Sequence, residues 1–187
     1  MILNVELLNW KKHENLKIDF NKGSNILIGN MGSGKTSILQ AITYCLFGTF
    51  SELKKRELKI NDLIKRGETT SEIKLLIKNN DAQFLITRKI EYDKPTEAII
   101  TNNLGELLAG PNPTSVNDYI IDKFKITEEI FLRTIYSIQN EADILLRIGP
   151  SERKKQIDEL MNLDQFEIVR KNCVSLSNKL NERKKGM

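Results

Sequence analysis

The residues Gly29-Asn30-Met31-Gly32-Ser33-Gly34-Lys35-Thr36 fit the spacing G-x4-G-K-S/T of a phosphate-binding loop, the Walker A motif. The chemistry needs each residue type where it stands. Gly32 and Gly34 let backbone N–H groups close on an anion with no Cβ in the way. The helix expected to follow adds the unpaired donors of its first turn. Lys35 is placed to reach the β- and γ-phosphates of a nucleoside triphosphate, and the Thr36 hydroxyl to ligate Mg²⁺. Asn30, Met31, Ser33 and Ser37 complete the expected cradle.

Such a loop works between a strand and a helix. Before it, Asn25-Ile26-Leu27-Ile28 is a short apolar run that reads as a buried strand. After it, Ile38, Leu39, Ile42, Leu46 and Phe47 recur with helical period on one side, and Gly48 is a natural end residue. Upstream, Leu3, Val5 and Leu7 alternate, and Leu16 to Phe20 alternates strictly, so each predicts a strand with one buried face. The charged stretch from Ser51 to Thr70 reads as a partly helical surface excursion ending in an Arg66-Gly67 turn. Strand patterns return from Ser71 to Lys78 and from Gln83 to Ile90, joined by the hairpin signal Asn79-Asn80-Asp81-Ala82. A further strand and turn are expected between Glu97 and Leu108. Thr114 is expected to cap a helix reaching about Phe124, and Thr127 a second reaching about Ser137. Ser151, after Gly149-Pro150, opens a helix that nothing breaks before Gly186. Val169, Cys173, Leu176 and Leu180 give it an apolar stripe that suits either a coiled coil or a plain packing helix.

Composition bounds the function classes. At 187 residues, 40% hydrophobic and 29% charged, the chain suits one globular domain. Its 29 Lys and Arg against 25 Asp and Glu leave +4, which permits contact with nucleic acid without demanding it. The start has no basic signal region, and no long apolar run occurs, so an intracellular protein without a membrane partner is expected. Cys45 and Cys173 lie far apart and read as inert residues, not a metal site or disulfide. His13 is the only histidine; alone it cannot build a metal cluster, and it reads as a capping or packing residue near the nucleotide. Trp10 reads as core.

One part of a nucleotide hydrolase is missing. A Walker B strand, apolar and ending in an acid that supports Mg²⁺, has no match downstream. Tyr119-Ile120-Ile121-Asp122 is too short and too amphipathic, and Lys74 to Lys78 ends in the wrong charge. No Asn-Lys-x-Asp motif for guanine appears. Either the acid is disguised or the chain is one piece of a split hydrolase.

Three stretches carry a family likeness: Asn9-Trp10-Lys11-Lys12-His13 after the first strand; Gly29 to Thr36; and Phe131 to Gln139 with Met161-Asn162-Leu163-Asp164-Gln165-Phe166 beyond. In this order, around a β-rich insertion and before a long charged helix, they resemble the N-terminal segment of the Rad-fifty type DNA double-strand-break repair ATPases of the SMC and ABC superfamily. The resemblance implies an α/β fold: a P-loop NTPase lobe of ABC-ATPase head type over residues 1–150, with an antiparallel β-subdomain, and the root of a coiled coil over residues 151–187. It implies ATP and Mg²⁺ as cofactors, with zinc possible only in the full-length protein, at a central C-x-x-C outside this chain.

The resemblance also implies roles. Gln139 takes the place of the Q-loop glutamine beside Mg²⁺ and the attacking water, and with Lys35 forms the catalytic pair. Lys11 and Lys12 flank the phosphates and ribose where the family often has Arg-Ser. Ile64, Lys65 and Arg66 take the segment against adenine and ribose. The C-terminal segment of the same protein would supply the signature motif, Walker B and the catalytic glutamate. A second copy would complete an ATP-dependent homodimer, and an Mre-eleven type nuclease and DNA would be the further partners. Basic residues from Lys54 to Lys65 and from Lys171 to Lys185 are the expected DNA contacts. The rivals are a head of another SMC-like chromosome or recombination ATPase, and a nucleotide-gated scaffold with little turnover.

Overall fold

The computed structural model describes residues 1–134, 149–160 and 164–185. It contains two compact units, Met1–Glu128 and Glu129–Met187. The first unit is built on one antiparallel sheet in the order β2-β1-β3-β4-β5-β6. The strands are β1 Ile2–Trp10, β2 His13–Asp19, β3 Thr70–Asn79, β4 Ala82–Glu91, β5 Glu97–Asn102 and β6 Leu107–Ala109.

Period-two patterning sets the register. Val5 pairs with Leu75 and Leu7 with Ile73, while Ile77 faces Phe84 and Ile86 lies between Leu75 and Ile100. All of these side chains are buried. A slip of one residue would turn the whole set to the other face, where Glu6 pairs with Lys74 and Glu72 with Lys89. Burying each large aliphatic of this row contributes about 1.5–3 kcal/mol, so the register is strongly specified.

Helix α1, Lys35–Phe47, lies on the apolar face. The Cys45 thiol reaches the carbonyls of Ile73 and Ile86 at 3.9 and 3.5 Å. Burial pushes that thiol up to about 12, so it stays protonated and inert. The expected stripe on α1 proves too narrow. Ser37, Gln40, Ala41, Thr43, Tyr44 and Cys45 are buried as well, whereas Leu39 is partly exposed. Helix α3, Pro113–Phe124, buries Val116 and Ile120 and stacks Phe124 edge-on against Phe84. Its cap is Asn112, whose side chain accepts from Thr114 N at 2.8 Å, with Pro113 in the first turn. Thr114 is therefore inside the helix, because Asn followed by Pro is the stronger start signal.

Between β2 and α1 the expected strand is missing. Residues 24–30 form no ladder, and Ile26 and Ile28 are 81% and 91% exposed. An apolar run becomes a strand only where a sheet edge receives it, and among the described residues none does.

The excursion from Ser51 to Thr70 carries the short helix α2, Ser51–Lys54, and the 3₁₀ turn Ile60–Leu63. It is less superficial than its charge suggests, since Leu63 and Ile64 are buried, as is Phe50 just before it. Helix α4, Glu128–Thr134, opens where Thr127 predicts. The final helical pattern is described as Pro150–Leu160 and Asp164–Lys185. Of the stripe, Val169 and Leu176 are 58% and 60% exposed and Cys173 is exposed too.

Candidate nucleotide-binding site

The loop turns back on itself through Ser33 N, which donates to Asn30 O at 3.0 Å. Gly32 and Gly34 take φ of 74° and 95°, a region that L side chains rarely adopt. Gly34 is then the N-cap of α1, with no side chain capping the helix and no acid in its first turn. The first-turn N–H groups therefore keep their donors for an anion, at the positive end of the helix dipole. The Lys35 ammonium arches over the loop and donates to Gly29 O at 2.7 Å and Asn30 O at 2.9 Å, with Ser33 Oγ at 3.4 Å. Donors, dipole and cation belong to one short loop, which is what a polyphosphate requires. Thr36 is exposed at the head of the helix. No group of three His, Cys, Asp or Glu that could hold a metal occurs among the described residues. A cation here would rely on hydroxyl, phosphate and water oxygens, a donor set that suits Mg²⁺.

The turn between β1 and β2 grips this loop. Trp10 is fully buried as expected, and its Nε1–H donates to Ser37 O at 2.8 Å. Across the two-residue turn Trp10 pairs with His13, whose Nε2 lies 3.3 Å from both Gly34 O and Ser37 Oγ. A Cβ on Gly34 would stand 2.5 Å from that Nε2 and 3.0 Å from Lys12 Cδ. So Gly34 is required for its φ and also for the approach of the hairpin.

Lys11 turns the other way. Its backbone sits at φ 51°, a strained conformation for a residue with a side chain. Three contacts offset that cost: Lys11 N donates to Leu63 O at 2.7 Å, and Nζ donates to Gln40 Oε1 at 2.6 Å while lying over the Phe50 ring. Gln40 in turn donates to Glu52 Oε1 at 2.6 Å. Burial lowers the Lys11 pKa, and the Glu52 carboxylate opposes the shift.

The same turn carries the segment 63–66. Trp10 bridges Ile64, and Lys65 N donates to Asn9 O at 2.8 Å. Lys65 Nζ pairs with Glu14 at 2.5 Å. Residues 9–14, 29–37 and 63–66, distant in sequence, thus form one contiguous patch. Ile64 is buried and serves as the anchor, while Arg66 is exposed. Gln139 lies outside the described residues. Gln40 and Glu52 escaped the sequence reading; the available signal was a polar residue placed among the apolar positions of α1.

At the far end of α1 sits Arg88, fully buried on β4. Its Nε and Nη2 donate to the carbonyls of Cys45 and Leu46 at 2.7 and 3.1 Å, and Nη2 also meets Asn117 Oδ1. The guanidinium thereby caps the negative end of the helix dipole and ties α1 to α3. Desolvation lowers its pKa.

This fold and this loop define a phosphate-loop nucleotide-binding lobe of the ABC and SMC head type. The chain belongs to the AAA domain family, which it matches over residues 4–186. Among relatives, it is 32% identical over 166 residues to the DNA double-strand break repair Rad50 ATPase of Thermoplasma acidophilum. It is 33% identical over 171 residues to that of Thermoplasma volcanium, and 30% over 180 residues to that of Pyrococcus abyssi. These matches cover 87%, 89% and 95% of this chain but only 18%, 18% and 20% of the relatives. The chain therefore spans about a fifth of the length of the proteins it matches, and the Rad-fifty likeness read from the sequence stands. A solved structure from work on ATP-driven dimerization and DNA stimulated activation of SMC ATPases superposes with TM-score 0.66 at 23% identity, covering 85% of this chain and 98% of that one. The recombination mediator protein RecF superposes with TM-score 0.53 at 19% identity, covering 84% of this chain and 37% of that one. At such identities these two speak for the fold alone. Among the described residues, no helix is long and apolar enough to cross a membrane.

Proposed function

We propose that the chain is the ATP-binding part of a split ATPase head that acts in DNA double-strand-break repair. The observation that carries this is the uncapped start of α1 beneath a glycine loop, with the Lys35 ammonium drawn over it. MgATP would lie along the loop, with its phosphates on the N–H groups of residues 32–37 and on Lys35. Thr36 and Gln139 would share Mg²⁺, which supplies charge neutralisation at the transferred phosphoryl group. Lys12, Lys65 and Arg66 border the same patch and are suited to the ribose and base. Lys11 would act indirectly, since its ammonium is committed to Gln40.

The acid that activates water would come from the C-terminal segment of the same protein, and a second copy would close the site as an ATP-dependent homodimer. The exposed run holding Ile26 and Ile28 supports the first of these, because it has strand character and no strand neighbour. An Mre-eleven type nuclease and DNA are the further partners, with residues 151–187, which carry the exposed Val169 and Leu176, serving as coiled-coil root. The test is equilibrium binding of MgATP to the full-length protein. Lys35→Ala should abolish it, and retained binding would remove the reading.

A further inference from the structure

We propose that His13 is a positioning residue for the phosphate cradle: its Nε2–H locks the Gly34–Lys35 peptide so that the Lys35 N–H points out of the helix into the loop. This rests on the nucleotide-binding reading above.

Three donors converge on the Gly34 carbonyl. Ile38 N reaches it at 3.2 Å as the first bond of α1, Ser37 Oγ at 2.9 Å, and His13 Nε2 at 3.3 Å. Ser37 has one hydroxyl proton, and it is spent on Gly34 O. Its Oγ, 3.3 Å from the same Nε2, is then an acceptor. Both neighbours of Nε2 being acceptors, the ring proton belongs on Nε2, shared between them. In a trans peptide the N–H is antiparallel to the C=O. Holding Gly34 O toward α1 and the hairpin therefore aims Lys35 N–H the other way, past the helix end.

The lock is placed where it is needed. Glycine lets the peptides on either side rotate cheaply, so the single helix bond at 3.2 Å is reinforced by the Ser37 hydroxyl at 2.9 Å and by the ring at 3.3 Å, the one of the three that comes from outside the helix. The residue that needs the lock is also the one that admits it, since a Cβ on Gly34 would stand 2.5 Å from Nε2 and 2.8 Å from Cε1. The ring is itself held in place, because Trp10, its cross-strand partner, is bonded to the carbonyl of the same Ser37.

The test is MgATP affinity and thermal midpoint of the full-length protein carrying His13→Leu, His13→Asn or His13→Gln. Gln sets an amide donor where Nε2 stands, Asn sets one a carbon short, and Leu has none. Leu and Asn should weaken MgATP about tenfold, and Gln should return to within about threefold of wild type. The Asn and Gln proteins should melt alike, which separates aim from packing. Asn binding as tightly as Gln, or Gln binding as weakly as Leu, would overturn the proposal. Wild-type binding that disappears in Lys35→Ala but ignores all three changes at His13 sinks this inference alone. Wild-type protein that fails to bind MgATP sinks the nucleotide reading beneath it.

Discussion

The two flanks of the phosphate loop are opposites. Downstream, α1 is buried on almost every side, held at its start by Trp10 and His13 and at its end by Arg88. Upstream, Ile26, Leu27 and Ile28 are an apolar run within residues 24–30, which form no ladder, and Ile26 and Ile28 face outward. Both flanks are hydrophobic enough to be core. Among the described residues, only one has a surface to pack on. Within the described residues the donor side of the loop is fully organised, while the strand side carries no ladder.

If that contrast is right, damage should be severe on one flank and mild on the other. The largest effect is expected from Arg88→Met, which leaves the carbonyls of Cys45 and Leu46 buried without donors and should cost about 3 kcal/mol or more in a denaturant melt. A loss under about 1 kcal/mol would mean that Arg88 is not the anchor of α1. Next comes Trp10→Phe, which keeps the ring in the core but removes the bond to Ser37 O. About 1–2 kcal/mol should be lost in the same assay.

Upstream, Ile26→Ser with Ile28→Ser should change the stability of the 187-residue chain by no more than about 0.5 kcal/mol, while reducing its self-association in sedimentation. A loss rivalling Trp10→Phe would erase the contrast. The smallest effect concerns Lys11. Its folded pKa is lowered from 10.5 by burial, so the unfolded chain binds more protons between that lowered value and 10.5. Stability should therefore rise slightly with pH through this window relative to Lys11→Met, and a fall would contradict the burial argument.

Much of this was legible in the residues. The loop, the end of α1 at Gly48 and the hairpin joining β3 to β4 follow from glycine placement, periodicity and turn chemistry, all of them local. What stayed hidden depends on partners distant in sequence. Arg88 shares the inward alternation of Phe84, Ile86 and Ile90, yet its charge argues for solvent; only the carbonyls at the end of α1 resolve the conflict. Asn25 to Ile28 has the composition of a strand, but pairing belongs to the neighbour as much as to the run. The link from His13 to Gly34 joins two motifs that sequence could place only side by side.

The Lys35 ammonium bears on time as well as affinity. Its bonds to Gly29 O and Asn30 O tie the loop together through the chain's own carbonyls. An incoming nucleotide exchanges acceptors on one cation and need not order a chain segment, so capture should proceed at close to the rate of encounter. Substitutions around the loop would then show themselves chiefly in how long the nucleotide stays, a quantity that stopped-flow dissociation measures directly.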